Sequence, residues 1–163
     1  MAEHFQLTDE MQKLIGWESD PWIFEVTTTS IRAFARGVGY ADPVYFDKEA
    51  AVSAGYRDLP APPTYLGTPV FIPGKSNDTF SSPNGSRPEI RHGLKGLLDG
   101  GTETEYFETI CAGDTLICTS KLVDLSVKES GALGKMLVST IESVYKNQNE
   151  KIVAIQRGRI INY

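Results

Sequence analysis

The second half of the chain alternates between apolar and polar positions with a period of two. In TLICTSKLVDLSVKES, residues 115–130, Leu116, Cys118 and Ser120 fall on one side and Ile117, Thr119 and Lys121 on the other, as successive side chains of a strand do. Before it, LDGGTETEYFETIC (98–111) alternates and is β-rich, and AGD (112–114) reads as a turn. After it, GALG reads as a hairpin turn, KMLVSTIESVYKN as a strand, QNEK as a turn and IVAIQRGRIINY as the last strand. The pattern predicts a meander of four long antiparallel strands.

The first half carries shorter, helical patterns. Thr8 can cap a helix over TDEMQKLIG that Gly16 ends, and Trp22–Thr28 reads as a β-branched and aromatic strand. Ser30 is placed to cap IRAFARGVG, whose Ile31, Phe34, Ala35 and Val38 form one stripe. Asp47 can cap KEAAVSAG, with Gly55 just past its end. Pro60, Pro62 and Pro63 exclude helix, and Thr64–Phe71 reads as a short apolar helix limited by Pro69. Residues 73–95 are rich in Pro, Gly, Ser and Asn and predict a long loop, the kind that often folds over a site. Helices followed by strands predict an α+β domain spanning residues 1–163, with helices on one face of a curved antiparallel sheet. Such a sheet leaves an edge strand open. A strand as long as Thr115–Lys128 calls for cover, so pairing with a second chain is expected.

Composition narrows the function classes. Forty per cent hydrophobic and 23% charged residues are ordinary for a soluble globular chain. A net charge of −5 argues against nucleic acid as partner, and the densest basic window holds only Arg87, Arg91 and Lys95. No apolar run reaches the ~18 residues of a membrane span, and the acidic start MAEHFQLTDEM lacks the features of a secretion signal. Cys111 and Cys118, the two cysteines, fall on opposite sides of the predicted turn. A bridge is conceivable there, but two reduced strand residues in a cytoplasmic protein are the simpler expectation.

Few residues offer chemistry. His4 lies near the N-terminus. His92 lies in the long loop and has no metal-ligand spacing around it. No serine-hydrolase, zinc-protease, P-loop or dinucleotide motif is present, so no metal or cofactor is expected. Asp114 in the Gly113-Asp114 turn reads as a carboxylate that satisfies its own turn. The remaining feature is GYADPVYFDKEAA, residues 39–51, where Asp42-Pro43 reads first as a turn initiator.

Together, ADPVYFD, APPTY and LLDGGTETEYFETICAGDTL resemble the MaoC-like dehydratase family, in its N-terminal, FAS1-like dehydratase type, over residues 8–163. The resemblance implies a hot-dog fold, in which an antiparallel sheet wraps a central helix and two such folds pair edge to edge. Active members hydrate or dehydrate enoyl and 3-hydroxyacyl thioesters of CoA or acyl carrier protein, and they carry a loop of the form G-D-x-N-P-hydrophobic-H. One Asp and one His there can share the base and acid roles that moving water across C2–C3 requires. Backbone N–H groups at the start of an apolar helix can polarise the thioester carbonyl. The matching positions are Pro63, Thr64 and Tyr65.

On this sequence Gly39, Pro43 and Val44 match the loop, the Asp position falls on Tyr40, the Asn on Asp42 and the His on Tyr45. Tyrosine, with a pKa near ~10, is a poor base at neutral pH. Asp42 is the nearest carboxylate, two positions from the required one, and such a shift re-aims a side chain by several ångströms, on the order of what catalysis does not tolerate. The chain therefore resembles the dyad-lacking subunit of two-subunit hydroxyacyl-thioester dehydratases. That subunit holds the acyl part while a catalytic MaoC-like chain supplies Asp and His. Phe34, Val38, Tyr65, Leu66 and Phe71 are the apolar positions that could line an acyl tunnel, or simply form core. Two other readings remain at this point. One is a homodimeric hydratase using Asp42, Tyr40, Tyr45 or His92 in altered roles, and the other is a non-catalytic acyl-CoA-binding protein.

Overall fold

The computed structural model describes residues 5–67 and 87–163. Its elements are α1 (Asp9–Gln12), β1 (Trp22–Glu25), α2 (Thr28–Gly37), α3 (Lys48–Ser53), β2 (Leu97–Tyr106), β3 (Thr115–Ser130), β4 (Gly134–Lys146) and β5 (Ile152–Asn162), with 3₁₀ turns at Pro43–Tyr45 and Tyr65–Gly67. The strands form one antiparallel sheet in the order β1-β3-β4-β5-β2. Bulges between Leu122 and Asp124 and between Asp99 and Thr102 break its register and bend it.

Three of the four expected long strands do form a meander, but β2 does not precede β3 in space. It crosses to the far side of the sheet and pairs with β5, Leu97 opposite Asn162 and Tyr106 opposite Ala154. The expected open edge moves accordingly. β3 is flanked in its first half by β1, Trp22 opposite Cys118, and by residues 16–19, where Gly16 N–H donates to the Leu122 carbonyl and Ser19 N–H to that of Ser120. Among the described residues, the long strand without an outer neighbour is β2.

The alternation in β3 is as the sequence predicts. Leu116, Cys118, Ser120 and Leu122 are buried and Ile117 is exposed. Their face carries two apolar clusters. One gathers Ile31 of α2, Leu59, Tyr65 and Leu66 against Leu116, Cys118, Tyr145 and Ala154. The other packs Phe5 and Met11 against Leu122, Leu125 and Leu137. A polar row separates them. Ser19 Oγ accepts from Ser120 N–H, the Ser120 and Ser143 hydroxyls lie 2.8 Å apart, Ser143 stands opposite Gln156, and Gln156 Nε2 donates to Thr104 Oγ1 at 3.1 Å.

The helix caps explain the local boundaries. Thr8 Oγ1 accepts from Met11 N–H, and Asp47 Oδ1 accepts from Ala50 N–H. The cap of α2 differs from expectation. Thr27 is the N-cap and Ser30 the third helical residue, each accepting from the other's backbone N–H, so β1 ends at Glu25 and the helix begins three residues early. Both residue types can cap, and the reciprocal pair stabilises the earlier start. Ile31 and Ala35 are buried as the stripe requires, whereas Val38, the C-cap, is 51% exposed. Of the helix expected over Thr64–Phe71, only the turn Tyr65–Gly67 is described. Phe71 and residues 73–86 of the expected loop lie outside the described residues, and 87–95 contain neither helix nor strand. Among the described residues no helix is long and apolar enough to cross a membrane.

Candidate functional site

Gly39 to Tyr45 form a compact loop between α2 and α3. Gly39 has φ +82°, a backbone region that glycine enters without strain, which accounts for glycine at the head of the loop. Tyr40 N–H donates to the Ala35 carbonyl at 2.9 Å and ties the loop to the end of α2. Pro43 opens the 3₁₀ turn, where its fixed φ and missing N–H are harmless. Arg32 Nε donates to the Phe46 carbonyl at 2.8 Å and anchors the turn from the helix side.

The residues that the resemblance sets at the Asp and His positions, Tyr40 and Tyr45, meet each other. The rings of Tyr40 and Tyr45 stack with centroids 5.4 Å apart and planes at 28°. Burial first, then nearby Tyr40, Tyr56 and Asp42, push the Tyr45 phenol above its ordinary value, away from use as a base at neutral pH. Asp42 is exposed, and its Oδ1 accepts from Val44 N–H at 3.1 Å, capping its own turn.

The structure does not bring the other expected site residues to this pair. Tyr65 is 1% exposed, and its hydroxyl lies 2.6 Å from Ser30 Oγ while its ring meets Phe34 edge-on. Its N–H donates to the Pro62 carbonyl at 2.9 Å and so is not a free donor for a thioester carbonyl. Leu66 is likewise core, whereas Val38 faces solvent. Pro63 and Thr64 are exposed, and the Pro63 carbonyl accepts from the Tyr106 hydroxyl. Ala61, Pro63, Tyr106, Phe107, Thr109 and Ile110 line a cleft of about 280 Å³ beside the end of β2. His92 lies elsewhere, next to the second apolar cluster. Its Nδ1 accepts from Leu94 N–H at 3.0 Å, burial lowers its pKa, and it borders a cavity of about 210 Å³ with Ile90, Leu97 and Asn162.

Sequence reasoning missed Tyr106, Phe107 and Arg57. The first two are adjacent exposed aromatics at a strand end, a signal that was present. Arg57 pairs with buried Asp114, whose Oδ2 also accepts from Cys111 N–H at 2.9 Å and whose Oδ1 accepts from Gln148 Nε2 at 3.2 Å. Asp114 is thus the turn-satisfying carboxylate expected, with an added ion pair. Cys111 and Cys118 are both free and buried, and burial pushes the Cys118 thiol up to about 11, so it is no nucleophile at neutral pH. No cluster of three or more metal-ligating side chains occurs among the described residues.

A curved five-stranded antiparallel sheet with few helices defines the class, the hot-dog fold of MaoC-like dehydratases. The chain belongs to the family described as "FAS1-like, dehydratase domain region", which it matches over residues 13–156. It is 34% identical over 119 residues to a UPF0336 protein of Parafrankia sp. (strain EAN1pec), covering 73% of this chain and 72% of that one. It is 25% identical over 146 residues to the "Probable enoyl-CoA hydratase alpha subunit" of Thermomonospora curvata, covering 85% of this chain and 45% of that protein. Its fold is similar to a chain of the C-terminally truncated HadBC (3R-hydroxyacyl-ACP dehydratase) complex from Mycobacterium tuberculosis, with a TM-score of 0.68 at 21% identity over 91% of this chain and 97% of that one.

Proposed function

We propose that this chain is the acyl-holding subunit of an enoyl-thioester hydratase or 3-hydroxyacyl-thioester dehydratase, and that a separate MaoC-like chain supplies the Asp/His dyad. One observation carries the reading. The Gly39–Tyr45 loop keeps the glycine and proline of a hydratase loop while its two chemical positions hold tyrosines stacked on each other, and its one carboxylate caps its own turn. A scaffold retained without its acid and base suits a partner role better than a solitary enzyme. The alpha-subunit relative and the two-component HadBC complex support the same assignment.

In this reading the substrate is a CoA or acyl-carrier-protein thioester and no cofactor takes part. The partner's base removes the C2 proton, its acid protonates the leaving C3 hydroxyl, and water departs, with the reverse steps in hydration. This chain contributes position and exclusion of water. The cleft at Pro63, Tyr106 and Phe107 lies beside one end of β2, the open edge where the partner would pair. The purified chain, assayed alone for hydration of crotonyl-CoA, is expected to show no turnover. Robust activity without a partner overturns the proposal. Asp42→Asn, tested in the reconstituted two-chain enzyme, is expected to leave the rate unchanged; its loss would make Asp42 a base and favour catalysis by this chain.

A further inference from the structure

The solvent face of the sheet carries a row of charges of alternating sign. Glu18 stands opposite Lys121, with Oε1 3.0 Å from Nζ. Lys121 stands opposite Glu142 on β4, and Glu142 opposite Arg157 on β5, with their charged atoms 2.7 Å apart. Arg157 stands opposite Glu103 on β2. The signs run negative, positive, negative, positive, negative from the segment before β1 across β3, β4 and β5 to β2. There the row stops, because β2 is the last strand of the sheet. Glu103 is exposed, and its carboxylate makes no ion pair among the described residues, since Arg157 turns its guanidinium to Glu142.

Directly opposed side chains on neighbouring strands interact, favourably for opposite charges and unfavourably for like ones. The next strand added at this edge therefore meets a carboxylate at Glu103, and another two residues on at Glu105, which shares the face because strand side chains alternate. β2 contains Asp99, Glu103 and Glu105 and no Lys, Arg or His. No register of one copy's β2 against another's can place a cation opposite Glu103. The edge still asks for cover, since Leu97, Leu98, Tyr106 and Phe107 at or beside its two ends are 61%, 42%, 39% and 50% exposed.

We propose that the β2 edge is a selective docking surface for a strand of a different polypeptide that carries Lys or Arg opposite Glu103, and that like charge excludes a second copy of this chain from it. Repulsion here is the element that sets partner choice, and the apolar ends supply the attraction. This inference rests on the edge pairing in the functional reading above, but not on its chemistry.

The test uses this chain as its own probe. The double variant Glu103→Lys/Glu105→Lys presents the missing cations. Wild type alone and variant alone are expected to sediment as monomers at micromolar concentration, and their equimolar mixture to form a heterodimer about 100-fold tighter than either self-association, weakening as salt rises. Amide exchange should slow across 97–106 only in the mixture. A wild-type homodimer with those amides protected overturns the proposal, and so does a mixture no tighter than its components. Should the lysine variant fail to fold, Glu103→Gln/Glu105→Gln reads the same property. Neutral edges are expected to self-associate at least ~10-fold more tightly than wild type once like charge is gone, and equal self-association overturns the proposal. The outcomes separate from those of the functional reading. Turnover by the wild-type chain alone defeats that reading whatever the edge does, whereas an inactive β2–β2 homodimer defeats the edge assignment and leaves acyl holding intact.

Discussion

Asp42 and Asp114 both sit in turns, and the two turns put the carboxylate to opposite uses. Asp42 opens the Pro43–Tyr45 turn at the surface, with one backbone hydrogen bond to Val44. Asp114 closes the turn before β3 at 2% exposure, holding Arg57, Cys111 N–H and Gln148, while its carbonyl accepts from Val26 N–H at 2.9 Å. The first sits in the loop between α2 and α3 and accepts its hydrogen bond from its own turn. The second sits away from it and ties four segments together. What a carboxylate does is set by the donors that surround it and by its access to water, not by proximity to a motif. Gly113, with φ +92°, is what lets the chain reverse tightly enough for Asp114 to turn back onto Cys111.

The contrast is sharpest in the cost of deleting each group. Asp114→Ala leaves the buried Cys111 N–H without its acceptor and removes the partner of Arg57, and should lower unfolding stability by about 3 kcal/mol in a denaturant titration. A loss under ~1 kcal/mol would place Asp114 among ordinary turn residues and erase the distinction. Arg57→Ala comes next. The Arg57 side chain is 54% exposed and Asp114 keeps two other donors, so a loss of about 1 kcal/mol is expected by the same measurement. A larger loss from Arg57 than from Asp114 would show that the ion pair, rather than the turn, is the tie.

The sequence makes one of these aspartates legible and half of the other. Asp-Pro announces a turn from local chemistry alone, and Gly-Asp does too, but the partnership of Asp114 with a residue 57 positions earlier is non-local and leaves no period to read. The same division runs through the fold. Strand character in β3, β4 and β5 follows from alternation, whereas the position of β2 beside β5 is decided by which faces bury together. Consecutive strands are neighbours often enough that a meander is the natural expectation, and β2 departs from it. In the loop, Gly39 and Pro43 carry the resemblance, and Tyr40 and Tyr45 stand where it implies Asp and His. The stacking of those two rings on each other is a matter of packing that residue types alone do not reveal.

Removing the surface cap is a smaller perturbation. Asp42→Ala takes away one exposed hydrogen bond from a three-residue turn, and about 0.5 kcal/mol of stability is expected to go with it. Asp42→Asn retains an acceptor and should be indistinguishable from wild type in thermal unfolding. A destabilisation from Asp42→Ala that matched Asp114→Ala would collapse the comparison from the other side.

The smallest effect concerns His92, the one sequence-predicted site residue that the structure places against the second apolar cluster. Its Nδ1 accepts from Leu94 N–H at 3.0 Å, which only the unprotonated nitrogen can do. Burial holds its pKa below the ordinary histidine value of 6.5. The unfolded chain therefore binds a proton at His92 at a higher pH than the folded chain does. Its contribution to stability is complete above the unfolded pKa and declines as pH falls through the folded one. Stability of wild type measured from about pH 7 down to about pH 5 should fall more steeply than that of His92→Gln, which has no group to titrate there. If the two slopes coincide, His92 is solvated as freely as any surface histidine. If His92→Gln instead abolishes activity in the proposed two-chain enzyme while leaving the slope unchanged, the loop reaches the chemistry after all.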